Sequence, residues 1–290
     1  MNTAARGSGG PAVRRILLGT QLHRLREAQH VTREQSGQTI GASESKVSRM
    51  ETGRARFTKR DVVALLNLYG VADPVERERV LSFARQTNEP GWWHTYNDLL
   101  PDWFEPYVGL EEAASRIRTY EVQFVPGLLQ TAGYARAVTA QGRAAGAAED
   151  ELERRVHLRM TRAQLLTLPE PPHLWAVIDE AALRRPIGGR QVMRTQMEHL
   201  LEAAKLPTIT LQVMPLRFGG HVAEGGAFSL LRFPYDELPD VVYLEQLTGA
   251  LYLDGRGDVN AYTQAMEELC VQAAEPNRST DIITDILAEM

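Results

Sequence analysis

The sequence predicts two domains of different class: an all-α unit over residues 13–88 and an α+β unit with an antiparallel sheet over residues 89–290, after a disordered arm at 1–12. Three observations carry this. In the first 88 residues, apolar positions recur at helical spacing in short blocks punctuated by Thr, Asp and Gly. Beyond Pro172, β-branched and aromatic runs bounded by Pro, Gly and Asp replace them. Charge divides along the same line, for residues 1–70 hold 12 Lys/Arg against 5 Asp/Glu while the remaining 220 hold 20 against 32. The overall charge of −5 therefore conceals a basic unit on an acidic body, and nucleic acid is the expected partner at the basic end alone.

The helices follow in order. Ile16, Leu17, Leu18, Leu22 and Leu25 give an amphipathic helix from Val13 to about Gln29. Thr32 with Gln35 three residues on has the form of a capping box and opens a short second helix that ends at Gly41. The stretch Gly41 to Gly53 then reads as a glycine turn, a helix capped by Ser43 and a glycine stop. Val47 and Met50 point into a core, which leaves Glu44, Ser45, Ser48 and Arg49 on the other face. That face is short, polar and flanked by Lys46, Arg49, Arg54 and Arg56, as suits a helix entering a major groove between two phosphate backbones. The connection of three or so residues between the second and third helices is that of a helix-turn-helix. Thr58 with Asp61 caps a fourth helix burying Val62, Val63, Leu65, Leu66 and Leu68, and Asp73-Pro74 opens a fifth.

Leu25-Arg26-Glu27, Val31-Thr32, Ile40-Gly41-Ala42-Ser43 and Lys46-Val47-Ser48-Arg49-Met50-Glu51-Thr52-Gly53, in this order and spacing, resemble the Xre class of lambda-repressor-like helix-turn-helix domains over roughly residues 13–72. The resemblance implies base reading by Ser43, Glu44, Ser45 and Arg49, and backbone contacts by Arg33, Thr52 and Arg54, to which the basic and hydroxyl pattern adds Lys46, Ser48 and Arg56. It also implies a structural ion pair between Arg26 and Glu51. Ser36 and Gly37 stand where leucine and alanine are usual, so the second helix should pack less firmly or sit closer to its neighbours. Glu44 stands in place of glutamine, arginine or serine; a carboxylate reads a base edge by accepting from a cytosine amino group.

At Glu89 the composition changes, and Trp92, Trp93 and Trp103 fall within twelve residues. Such rings staple a linker to a second domain or line a pocket. Leu110–Tyr120 reads as a helix turning into strand, 141–150 as an Ala/Gly-rich loop, and 151–168 as a long helix whose Arg154, Arg155, Arg159 and Arg162 form a solvated or paired face. Strand-like runs follow at 173–178, 208–214, 227–233, 241–247 and 250–253, the last three joined by short turns in an antiparallel meander. Helices at about 190–204 and 259–274 should cover one face, and 279–290 a last short helix. The order GWWHTY, FVPGLLQT, VIDEAALRRPIGG, FSLLRFPYDELPDVVYLEQLTGALYLD resembles the domain that follows Xre-type domains in actinobacterial regulators of the WhiJ kind. That resemblance implies a homodimeric transcription factor, encoded beside a small partner protein in an arrangement described as antitoxin-like.

Catalytic patterns are absent from the motifs. His157, His173, His199 and His221 lack metal-ligand spacing, Asp179-Glu180 suits a helix N-terminus, and the glycine-rich 218–226 matches no phosphate-binding fingerprint. The single Cys270 rules out an internal disulfide framework. No apolar run approaches the ~20 residues of a membrane span, and the first fifteen residues lack a signal-peptide core, so a cytoplasmic, nucleoid-associated protein is expected. The reading is a DNA-binding regulator without cofactor or metal, not an enzyme, whose second domain dimerises and senses a small partner protein or a small-molecule effector. The candidate effector pocket is Trp92, Trp93, Tyr96, Arg184 and His221. An antitoxin neutralising a partner, and a small-molecule enzyme with a DNA-binding appendage, stay open.

Overall fold

The computed structural model describes residues 11–87, 91–142, 149–223, 225–234 and 238–290. Residues 1–10 of the expected arm and 143–148 of the expected loop lie outside the described residues, and Pro11 already begins the first helix. The chain divides into two compact units, the first reaching Thr95 and including Glu105–Ala113, the second made of Tyr96–Phe104, Ala114–Pro234 and Asp240–Met290.

The first unit is helical: α1 (Pro11–Ala28), α2 (Arg33–Ile40), α3 (Glu44–Glu51), α4 (Lys59–Leu68), α5 (Pro74–Gln86) and α6 (Glu105–Ala113), the last packed against α1. Local chemistry fixes the helix starts. The Thr32 hydroxyl accepts from the Gln35 backbone N–H at 3.1 Å while the Gln35 side chain accepts from the Thr32 N–H at 2.8 Å, a complete capping box. Ser43 accepts from Lys46 N–H, Thr58 from Asp61 N–H and Asp73 from Val75 and Glu76 N–H. Gly41 ends α2 in the left-handed region at φ 67°. Leu18, Leu22, Met50, Phe57, Val62, Leu65, Leu66 and Tyr69 form the core between them.

Two glycines set the spacing of these helices. A Cβ on Gly19 of α1 would lie 2.4 Å from the Met50 carbonyl oxygen and 2.5 Å from that of Glu51, so α1 crosses the end of α3 at backbone contact. A Cβ on Gly37 would lie 2.6 Å from the Ala42 carbonyl oxygen, so α2 sits close to the turn that follows it. Ser36, fully buried, donates to the Thr32 carbonyl and accepts from the Tyr69 hydroxyl, both at 3.0 Å. A hydroxyl pair thus occupies the place where an apolar contact is usual.

The second unit holds one six-stranded sheet in the order β3-β2-β1-β4-β5-β6, made of β1 (Arg116–Glu121), β2 (His173–Asp179), β3 (Ile209–Met214), β4 (Phe228–Arg232), β5 (Val241–Gln246) and β6 (Gly249–Leu253). The expected antiparallel meander is β4-β5-β6, and β4 also pairs antiparallel with β1. Beyond this, β1, β2 and β3 run parallel, so the sheet is mixed. The physical reason is connection length. β1 returns to β2 through α7 (Ala132–Gln141) and α8 (Glu149–Ala163), and β2 to β3 through α9 (Glu180–Arg184) and α10 (Arg190–Ala203), the crossovers that parallel neighbours require. Helix α11 (Arg256–Gln272) buries Met266 and Leu269 against Tyr120, Val177, Phe228, Leu230 and Val242 on one sheet face. Helix α12 (Pro276–Glu289) lies against β3, where the Ser279 hydroxyl accepts from the Val213 N–H at 2.9 Å.

Gly19→Ala tests the α1–α3 crossing. In a free helix this change stabilises by about 1 kcal/mol. Here it should destabilise the N-terminal unit by roughly 1–3 kcal/mol, the usual cost of overpacking. Urea unfolding of the full chain would measure it, and a gain in stability would mean that the helices do not touch at this point.

Candidate nucleic-acid interface

The geometry of α3 begins with what holds it. The Glu51 carboxylate, 6% exposed, receives Arg26 Nε at 2.5 Å and Nη2 at 3.2 Å, Arg33 Nε at 2.9 Å, and has His23 Nδ1 at 3.0 Å. Arg26 also donates through Nη1 to the Val31 carbonyl at 2.8 Å, so one guanidinium ties α1 to the loop before α2 and to the last turn of α3. Burial alone would raise the Glu51 pKa; hydrogen bonds from Arg26 and Arg33, followed by His23, outweigh it and hold the carboxyl below the usual range. The pair sits where the family resemblance implies it, with Arg33 and His23 added.

On the opposite side of α3, Ser43, Glu44, Ser45 and Arg49 are exposed, while Val47 and Met50 are each 1% exposed and face the core. Arg49 Nη1 donates to Ser45 Oγ at 3.0 Å, one turn apart on this face. Ser43 and Ser45 thus lie at the helix start with Arg49 behind them, all carrying groups able to reach base edges. The expected backbone residues divide. Thr52 donates to the Ser48 carbonyl at 3.0 Å, and the Arg54 N–H bonds the Arg49 carbonyl at 2.7 Å, so both continue the helix end. Lys46 Nζ instead pairs with Asp61 Oδ2 of α4 at 3.1 Å, Arg33 is held on Glu51, and Arg56 Nη2 lies 3.9 Å from Glu105 of α6. Their charges are present on the surface, but each is already oriented by a carboxylate.

The residues proposed for an effector pocket are divided between the two units. Trp92 and Trp93 belong to the first unit and meet edge to face at 6.0 Å, with Trp93 2% exposed. Within the second unit, the Tyr96 hydroxyl lies 2.5 Å from His157 Nδ1 of α8. Arg184 pairs with Glu180 and Glu289, each at 2.7 Å. His221 Nε2 lies 2.7 Å from the Tyr120 hydroxyl, which in turn donates to Asp179 Oδ2 at 3.4 Å. Asp179 caps α9 through Ala181 N–H and Glu180 accepts from Leu216 N–H, so this acidic pair serves helix and loop geometry. Among the described residues no cluster of three or more His, Cys, Asp or Glu could hold a metal, and no helix is long and apolar enough to cross a membrane.

A short capped helix, packed across a second through a tight turn and presenting a hydrogen-bonding face, defines a helix-turn-helix DNA-binding protein. The family model for a helix-turn-helix domain (HTH_31) matches residues 17–80. The model for a domain of unknown function (DUF5753) matches residues 104–285, more than half of the chain, and the chain belongs to that family. No curated protein and no solved structure matches it.

The Glu51 network makes a signed prediction. A carboxylate whose folded pKa is depressed contributes stability above its ordinary value of 4.5, and that contribution is lost as pH falls through the lower folded value. Glu51→Gln should therefore cost the N-terminal unit up to about 3–5 kcal/mol at pH 7, since it removes the buried carboxylate from Arg26 and leaves it only the exposed Glu27. The deficit should shrink as pH falls below 4.5 through the lower folded value. Hydrogen exchange at the amides of α1 and α3 at pH 7, with urea melts from pH 3 to 7, reads both parts; protection equal to wild type at pH 7 would mean that the carboxylate does not hold the helices.

Proposed function

We propose that the protein is a sequence-specific transcriptional regulator that binds DNA as a homodimer and whose DUF5753 domain senses a small partner protein or ligand. The observation that carries the reading is the exposed face of α3, where Ser43, Glu44, Ser45 and Arg49 project from a helix locked at its far end by Arg26 and Glu51. A rigid helix with exposed polar tips suits base reading, for rigidity fixes which edge each tip meets. The surplus of Lys/Arg in residues 1–70 supplies the phosphate attraction, and the acidic remainder repels phosphate and leaves the second domain free for other partners. That charge division is also why we place it in the cytoplasm, where its DNA would be.

One recognition helix reads only a few base pairs, so a two-fold dimer with half-sites about one helical turn apart is the economical way to specificity. The β5–β6 hairpin supports a self-contact: Leu247 is 99% exposed at its tip, Leu251 is 55% exposed, and β6 ends the sheet with no Lys, Pro or bulge to discourage pairing. We read the second domain as a binding module rather than an enzyme, because Asp179 and Glu180 serve a helix cap and a loop and His221 lies at hydrogen-bond distance from Tyr120.

Footprinting on DNA selected from random sequence tests this. Wild type should protect two half-sites about ten base pairs apart. Arg49→Ala should lose about 1–3 kcal/mol on selected DNA with little change on scrambled DNA, and Arg54→Ala should weaken both alike. A single unrepeated half-site would contradict the dimer, and an Arg49 variant losing both DNAs equally would contradict base reading.

A further inference from the structure

One cluster in the second unit is used by nothing described so far. Glu121 ends β1 on the sheet face opposite α11, and Glu245 stands near the end of β5 on the same face. Both strands point the same way, so the two carboxyls share one end of the sheet. Arg159 of α8 brings its guanidinium to them, flanked on the same helix by Arg155, paired with Glu151, and by Arg162. Among the described residues the Glu121 carboxyl has no hydrogen-bond or ion-pair partner. Arg159 has no carboxylate at ion-pair distance and donates only to the neutral Gln130 amide oxygen, at 3.3 Å. A carboxyl and a guanidinium close enough to feel each other's charge, yet not joined, is an arrangement that desolvation makes costly unless something else completes it.

An aromatic ladder adjoins this cluster. Trp103 meets Phe104 at 5.8 Å, Phe104 meets Tyr243 at 6.5 Å, Tyr243 meets Tyr252 at 5.2 Å, and the Arg162 guanidinium lies over the Phe104 ring at 5.0 Å. The Tyr243 hydroxyl donates to Glu245 at 3.1 Å, so ladder and charges are contiguous. Glu121 and Arg159 each keep part of their surface open to solvent, although burial dominates their energetics. Both groups are therefore enclosed by protein and still reachable by water.

We propose that this partly solvated cluster binds a small zwitterion of the amino-acid class, its carboxylate taken by Arg159, its ammonium by Glu121 and Glu245, and its apolar side chain lying beside the Phe104 ring. The charge states of the two groups support this. Burial and then Glu245 push Glu121 up to about 8, while burial and then Arg162 bring Arg159 down to about 10. Each is shifted toward its neutral form, as expected of a group lacking its counter-charge, and a bound zwitterion supplies both counter-charges at once. The groups facing Glu121 are Glu245 from β5, Arg159 from α8 and Tyr134 from α7, and those facing Arg159 are Arg155, Arg162, Glu245 and Glu121. An ammonium arriving at Glu121 lowers its pKa, so binding at pH 7 releases a proton. The proposal rests on the second domain being a sensor and names the class of molecule it senses.

Titration calorimetry on the full chain at pH 7 tests it with three matched probes: L-phenylalanine, phenylpropionate, which lacks the ammonium, and phenethylamine, which lacks the carboxylate. L-Phenylalanine should bind saturably and at least about tenfold more tightly than either analogue, a difference of about 1.4 kcal/mol. Its heat should vary with buffer ionisation enthalpy as proton release requires, and that dependence should vanish in Glu121→Gln. Arg159→Gln should lose binding of L-phenylalanine and phenylpropionate together. Should either variant fail to fold, the ranking of the three probes on wild type still decides. No saturable binding of L-phenylalanine, or equal binding of all three, overturns the site. A gel shift with L-phenylalanine present separates the two levels: binding with unchanged DNA affinity keeps the site and counts against the sensor reading, whereas absent binding with intact DNA recognition removes the site alone.

Discussion

The buried carboxylate of Glu51 is the constraint on which the N-terminal unit depends. It ends α3, yet its partners come from α1 and α2, so a single ionised group fixes three helices relative to one another. Gly19 makes this geometry reachable by letting the α1 backbone approach the Met50 and Glu51 carbonyls. Burial alone would raise the pKa of this carboxylate, and Arg26 with Arg33 and His23 lowers it, so the network stands or falls as a unit. The functional consequence lies at the other end of the same helix. With Glu51, Val47 and Met50 anchored, Ser43, Ser45 and Arg49 hold fixed positions on the exposed face.

Much of this unit is legible in the sequence because its determinants are local. Thr32 with Gln35, Ser43 with the N–H of Lys46, and Thr58 with Asp61 act over three residues, and their spacing alone predicts helix starts. The Arg26–Glu51 pair is long-range and enters only through family resemblance. Other long-range features carried weaker signals. Gly19 sits in the middle of a helical apolar pattern, where a glycine costs stability unless a neighbour presses close, and that is the sign of the α1–α3 contact. The departure at Ser36 finds its complement thirty-three residues away in the Tyr69 hydroxyl, which no local pattern reveals.

The second unit is less legible for the same reason. Strand runs announce themselves by composition, and the short turns of β4, β5 and β6 give their antiparallel pairing. Parallel pairing of β1, β2 and β3 depends on which strands the helical crossovers bring together, and side-chain period is blind to that. The arginines of α8 read as a solvated or paired face. Arg154 and Arg155 fit that description, paired with Asp98 and Glu151, while Arg159 and Arg162 turn toward Glu121 and Phe104. Two halves of one helix face thus do different work, divided by what the sheet places opposite them.

The central claim is that α3 meets DNA and that the acidic unit stays clear of it. Amide hydrogen exchange of the full chain, with and without DNA selected from random sequence, addresses it directly. The account predicts that added protection concentrates on residues 43–54 and leaves α8 unchanged. Protection that appears across the arginines of α8 and spares 43–54 would contradict it.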